Sequence, residues 1–179
     1  MMAGPGVYPR AERVFRPWKN GGGTTAEILA APEGAGFDAF DWRISTARVE
    51  ASGPFSLFPG ADRVLTVLEG GGIALDLAGE RHALDASAPP FAFPGDVPCF
   101  GHLDAGPLLD LNVMVRRPWT ADVRRGPLDA HPTGLALLLE DAGGLSRLDF
   151  VDLAAADRTL VQALAGAPAI TIALHARKP

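Results

Sequence analysis

The run Leu108-Leu109-Asp110-Leu111-Asn112-Val113-Met114-Val115-Arg116 constrains the chain more than any other stretch, because its side chains switch between apolar and polar at every step. Leu109, Leu111, Val113 and Val115 face one way and Asp110, Asn112, Met114 and Arg116 the other, which is the period of a β-strand and not of a helix. Shorter runs repeat the signal. Asp41 to Val49 sets Trp42, Ile44 and Thr46 against Arg43, Ser45 and Ala47, and Ile73, Leu75 and Leu77 alternate with Ala74 and Asp76. Thr24 to Leu29 and Arg81 to Leu84 read as further strands, and Arg63 to Glu69, apolar on both faces, reads as a central one. The 21 glycines and 16 prolines are spread along the chain, as befits short strands joined by turns. The fold class is therefore all-β.

Later signals are weaker. Leu135–Glu140, Arg147–Leu153, Thr159–Leu164 and Ala169–Leu174 supply four more short strands, with Leu153 to Asp157 open to a helical turn instead. Gly70-Gly71-Gly72 is expected to turn a hairpin into Ile73–Leu77. In Phe93-Pro94-Gly95-Asp96, Gly95 is expected at positive φ, with Asp96 bonding to nearby backbone N–H groups.

A chain of 179 residues, 47% hydrophobic, can bury a substantial core in one domain or two small, closely packed halves. Its net charge of −5, with no Lys/Arg run longer than Arg116-Arg117 or Arg124-Arg125, argues against nucleic acid or an anionic membrane as partner. The single cysteine, Cys99, excludes an internal disulfide and a cysteine metal cluster, and suits a reducing compartment; it reads as a small, partly buried apolar residue. Met1 to Gly6 lack a cationic start followed by an apolar core, and no apolar run reaches bilayer length. A soluble, cytoplasmic protein is expected.

The chemistry that remains is of one kind. His82, His102, His131 and His175 are scattered without a His-x-His pair, so no metal or other cofactor is expected. There is no Gly-x-Ser-x-Gly elbow for covalent catalysis. Trp18-Lys19-Asn20-Gly21-Gly22-Gly23-Thr24-Thr25-Ala26-Glu27 instead joins an aromatic, a cation and an amide to three glycines. It reads either as a concave surface of N–H donors for an anion or as a tight turn with Lys19 solvated and Trp18 packed as a lid. Lys19 precedes the glycines and a strand follows them, so this is not a phosphate loop. Arg43 has two readings as well: unremarkable on a solvated face, or in need of an anionic partner inside a barrel. Trp18, Lys19, Asn20, Thr25, Glu27, Arg43, Ser45, Arg63, Asp96, Asn112 and Arg116 form a set in which cations and amides dominate, suited to holding a small carboxylate.

The glycine stretch through Ile28, Phe55-Ser56-Leu57-Phe58-Pro59-Gly60-Ala61-Asp62-Arg63, Val67-Leu68-Glu69-Gly70, Phe93-Pro94-Gly95-Asp96 and Asp110-Leu111-Asn112-Val113-Met114 together resemble the HutD family, over about residues 12 to 117. The resemblance implies a cupin-like antiparallel barrel or sandwich in a bicupin arrangement, with residues 1–117 as the N-terminal half and 118–179 as a smaller β-rich half. It also implies a bacterial cytoplasmic protein of histidine utilisation, regulatory rather than catalytic, binding formylglutamate or urocanate in a cupin pocket. Trp18, Lys19, Asn20, Arg63, Asp96 and Asn112 are the motif positions it favours. The rival readings are a metal-independent, isomerase-like cupin enzyme with Glu27 or a His as base, and a protein-interaction module with a vestigial pocket. An exposed sheet edge would allow two copies to pair as a homodimer.

Overall fold

The computed structural model describes residues 4–36 and 38–176; Met1 to Ala3, part of the stretch read for an export signal, lie outside them. In chain order the elements are β1 (Val7–Tyr8), a 3-10 turn (Arg10–Glu12), β2 (Arg16–Pro17), β3 (Gly23–Ala31), β4 (Trp42–Val49) and β5 (Gly53–Pro54). They continue with β6 (Ala61–Gly70), β7 (Ile73–Leu77), β8 (Glu80–Leu84), β9 (Phe91–Pro94), β10 (Cys99–Leu103) and β11 (Leu108–Arg116). Last come β12 (Trp119–Pro127), β13 (Leu135–Leu138), β14 (Phe150–Asp152), α1 (Arg158–Ala163) and β15 (Pro168–Ala176). The strands expected over Leu108–Arg116 and Ile73–Leu77 are present with those bounds, and β11 is buried on both faces except at Arg116.

Two compact units result, and the larger spans Val14–Thr120. Its strands form a six-stranded sheet in the order β2-β3-β4-β11-β6-β9 and a four-stranded sheet in the order β5-β10-β7-β8. Neighbouring strands in both sheets run antiparallel. Val49, Leu65, Val67, Phe93 and Leu108 of the first sheet pack against Ile73, Leu75, Leu77, Leu84 and Cys99 of the second. The face of β4, β6, β9 and β11 that carries those residues is thus the inside of a barrel-like sandwich, with Cys99 fully part of its core.

In the smaller unit, Ala121–His175 joins the segment before Val14 in a five-stranded sheet, order β1-β14-β13-β15-β12. The first strand belongs here because Val7 and Tyr8 pair with Val151 and Phe150. Arg10 N–H donates to the buried Asp149 carboxylate at 2.7 Å, and the Arg13 guanidinium donates to the Leu148 carbonyl. Burial pulls Arg13 down to about 10 despite the nearby Asp149.

Three local expectations need correction. Thr159–Leu164 is not a strand: Asp157 accepts from the N–H groups of Thr159 and Leu160, capping α1, and that carboxyl falls below its usual value as a result. Gly70-Gly71-Gly72 is not a hairpin, since β6 pairs with β9 and β11 while β7 pairs with β8 and β10; the glycines carry the chain from one sheet to the other. Gly95 is not at positive φ. It is needed for space: a Cβ there would lie 2.8 Å from the carbonyl oxygens of both Phe58 and Ala61.

The same distinction separates the glycines of the first motif. Gly21 takes φ 71°, whereas a Cβ on Gly23 would sit 2.2 Å from the Arg48 carbonyl oxygen and 3.1 Å from the Trp18 ring. On Gly22 a Cβ would meet Asn20 at an ordinary 3.4 Å. Gly23→Ala should therefore destabilise the fold by about 3 kcal/mol while Gly22→Ala stays within about 1 kcal/mol of the parent. Denaturant unfolding of the two variants checks this, and equal midpoints would refute it.

Candidate functional site

Cross-strand pairing arranges the inner face of the six-stranded sheet in rows, because directly opposed residues of antiparallel strands point the same way. One row runs Arg43, Met114, Arg63, Phe93; the next Glu27, Ser45, Asn112, Leu65, Phe91; the third Thr25, Ala47, Asp110, Val67. Six residues singled out from the sequence, Thr25, Glu27, Arg43, Ser45, Arg63 and Asn112, are thus gathered on one surface. Arg43, Ser45, Arg63 and Asn112 are buried. Register shifts between Glu27 and Leu29 and between Leu109 and Asp110 lie at the borders of these rows, whose own pairs run in unbroken register.

Arg43 has the anionic partner that an inward position demands: its Nε donates to Glu27 Oε2 at 2.8 Å. Trp18 Nε1 donates to Thr25 Oγ1 at 2.7 Å, fixing the indole over the end of the face. Arg63 is held differently. Its guanidinium carbon stands 5.4, 5.4 and 5.2 Å from the ring centres of Phe55, Phe58 and Phe93, and Nη1 donates to the Ser56 carbonyl at 3.3 Å. The π faces of the rings offer the cation an electrostatic partner without a counter-ion. Burial lowers the Arg63 pKa, and the Asp110 charge works against that shift.

Asp110 did not enter the sequence-derived site set, although the alternation of β11 placed it on the stripe of Asn112. It is fully enclosed, and desolvation raises its pKa to about 7 against the opposing charge of Arg63 and the Ala47 backbone N–H. No direct ion pair joins Asp110 to Arg63. Arg63 Nε, Asp110 Oδ1 and Asn112 Oδ1 are all buried without a hydrogen-bond partner, one donor and two acceptors on one face.

The other expected residues lie elsewhere. A pocket of about 250 Å³ is lined by Trp18, Asn20, Gly21, Gly22, Ala51, Ser52, Gly53, Pro54 and Phe55. Lys19 is exposed at the turn and is not among the lining residues. The turn reading of the glycines prevails over the anion surface: Gly21 N–H donates to the Trp18 carbonyl and Gly22 N–H to Asn20 Oδ1. Asp96 does bond to backbone, but to Gly60 N–H at 2.8 Å, and it also pairs with Arg117, which holds Asp62 at 2.8 Å. These bonds keep the Asp96 carboxyl below the usual range and its side chain at the turn, off the inner face. Arg116 donates to the carbonyls of Phe40, Pro59 and Asp38 and so braces loops. Among the described residues no three His, Cys, Asp or Glu side chains gather as a metal set.

Two antiparallel sheets face to face, with buried cations and amides on the inner side of the larger, define a cupin-like β protein. The HutD family profile matches residues 10–145, and the chain belongs to the HutD family. It is similar to an uncharacterized 21.2 kDa protein in the hutC 3′ region of Pseudomonas putida, 43% identical over 109 residues, 60% of this chain and 53% of that one. It is also similar to protein Ves of Citrobacter koseri, 42% identical over 102 residues, 56% of this chain and 52% of that one. These matches thus span about half the length of each curated relative. Among solved structures, HutD from Pseudomonas fluorescens SBW25, described as a formate condition, superposes with a TM-score of 0.78 at 30% identity, covering 97% of this chain and 100% of that one. A conserved protein of unknown function from Pseudomonas aeruginosa PAO1 gives 0.75 at 29% identity, with the same coverage.

The raised pKa of Asp110 carries a stability consequence. The folded chain keeps a proton that the unfolded chain releases near pH 4, so stability from the neutral acid is complete below that pH and is lost as pH rises through about 7. Asp110→Asn, which cannot ionise, should gain on the parent over that window by on the order of 4 kcal/mol. Urea unfolding of both proteins between pH 4 and 8 checks this; parallel profiles would mean that Asp110 is ionised in the folded state throughout.

Proposed function

We propose that the chain is a regulatory or accessory binding protein of histidine utilisation that holds a small carboxylate, such as formylglutamate or urocanate, against the inner face of its larger unit. One observation carries the reading: a desolvated guanidinium with an unpartnered Nε stands on the same face as the unpartnered carbonyl oxygen of Asn112 and the hydroxyl of Ser45. A buried donor without a partner costs free energy that a ligand carboxylate would recover. Trp18 and Phe55 link this face to the rim pocket, since each lines the pocket while one bonds Thr25 and the other stacks near Arg63. Family membership and the hutC-region relative favour histidine catabolism as the source of the acid. On this reading the smaller unit is the reduced second half of a bicupin.

Calorimetric titration of formylglutamate and urocanate tests the proposal. The parent is expected to bind one of them, Arg63→Ala to bind it ten- to a hundredfold more weakly, as loss of about 1.5–3 kcal/mol implies, and Arg63→Lys to recover part of the difference. Failure of a well-folded parent to bind either acid would sink the reading. An R63A protein that melts early yet binds unchanged in its folded fraction would make Arg63 structural. Binding is also expected to survive exhaustive chelation, because the ligand-facing groups are a guanidinium, an amide and a hydroxyl, none of them a strong metal donor. Affinity lost with a chelator and restored by a divalent cation would contradict this.

A further inference from the structure

Asp110 is the group on the inner face that simple carboxylate binding does not need, and it stands where a carboxylate would meet repulsion. Its row neighbours, Thr25, Ala47 and Val67, are uncharged. The charged and titratable groups that face this region come from other strands: Glu27 and Arg43, committed to each other at 2.8 Å; Arg63 on β6, which carries Glu69 near its far end; Cys99 on β10; and His82 on β8, opposite Leu75 and with its ring 4.6 Å from that of Phe91. Arg63 already has its rings and the Ser56 carbonyl, and it makes no direct pair with Asp110. A simple counter-ion would sit against its cation; this one is enclosed with Oδ1 bare.

We propose that Asp110 is the specificity-determining residue of the site, admitting a ligand carboxylate only together with one proton that the two carboxyl groups share. The inference rests on the carboxylate-binding reading above. Two carboxyl groups in contact cannot both remain ionised, so one oxygen of the pair carries the proton and donates it in a hydrogen bond to the other. The proton comes from solvent and returns there on release, and no covalent bond to carbon changes. Arg63 then balances the single negative charge that the pair retains, and Asn112 and Ser45 flank it. The burial that raises the Asp110 pKa to about 7 means that the free protein already holds this proton over the acid side of neutrality. A ligand that replaced this carboxylate by a neutral amide would lose its charge attraction to Arg63; a doubly charged group such as phosphate in place of the one carboxylate would leave the enclosure overcharged.

Calorimetry of the full chain with N-formyl-L-glutamate, in two buffers of different ionisation heat between pH 5.5 and 8.5, counts the protons. About one proton taken up per ligand at pH 8.5, close to none at pH 5.5, and affinity falling about tenfold per pH unit above about 7 are the expected results. Asp110→Asn, whose amide N–H donates as the neutral acid does, should bind with no proton uptake and with affinity flat across the range. Flat affinity and no uptake in the parent would overturn the inference while leaving carboxylate binding intact. So would a folded D110N that has lost binding, because Asp110 would then be accepting an N–H of the ligand as a carboxylate. If D110N does not fold, the parent's proton count decides by itself. A parent that binds none of N-formyl-L-glutamate, urocanate and formate at any of these pH values would remove the binding reading and this inference with it.

Discussion

The larger unit is built around keeping one guanidinium out of water. Arg63 is buried on the inner side of β6 in line with Leu65 and Val67, and an isolated cation there would cost several kcal/mol. Three phenylalanine rings, one carbonyl and the charge of Asp110 offset that cost, and two of the rings sit on the segment leading from β5 into β6. That segment must be held in place for the cage to exist. Phe55 N–H donates to the Cys99 carbonyl and Phe58 N–H to the Gly95 carbonyl, both at 2.9 Å, and Gly95 N–H donates to the Ala61 carbonyl at 2.7 Å. Asp96 adds its bond to Gly60 and its pairing with Arg117. The two Phe-Pro-Gly turns therefore lock into each other, with Asp96 bracing the segment that carries Phe58.

Across the sheet from that cage, the polar rows depend on register. A slip of one residue in β11 would send Asp110 and Asn112 to the opposite face and bring Leu111 and Val113 inward. Gly23 fixes the far corner, because its backbone approaches the Arg48 carbonyl too closely for any side chain, and this seats the Trp18 indole where it can bond Thr25. The inner face thus has a braced end at Trp18 and Thr25, a satisfied ion pair at Glu27 and Arg43, and an unsatisfied centre at Arg63, Asp110 and Asn112. Native interiors leave few buried polar atoms without partners, and three together on one surface are the observation on which the proposed binding role rests.

How much of this was legible before any fold was known can be read from single residues. The alternation in β4 and β11 put Arg43 with Ser45 and Asp110 with Asn112, and those pairings hold because the pleat of a strand is a local property. Turn chemistry was less reliable. Glycine at 95 invites a positive φ, yet the residue is required by two carbonyls that arrive from positions 58 and 61; Gly70 to Gly72 look like a hairpin, yet strand partnership is settled elsewhere. Asp157 illustrates the same limit from the other side, since a single capping carboxylate turned an apolar stretch expected as strand into α1.

By itself the sequence determined the β class, the spans of the strongest strands, the family, and which polar residues share a side of each strand, because all of these follow from local backbone sterics or from motif order along the chain. Only the tertiary structure decided which side is the inside, that Arg43 is answered by Glu27, that Asp96 and Arg116 brace loops, and that Asp110 lies enclosed near Arg63. Those outcomes depend on the packing of one sheet against another and on residues tens of positions apart. Burial and electrostatics act through space, and a strand's pattern carries no mark of which neighbour will exclude its water.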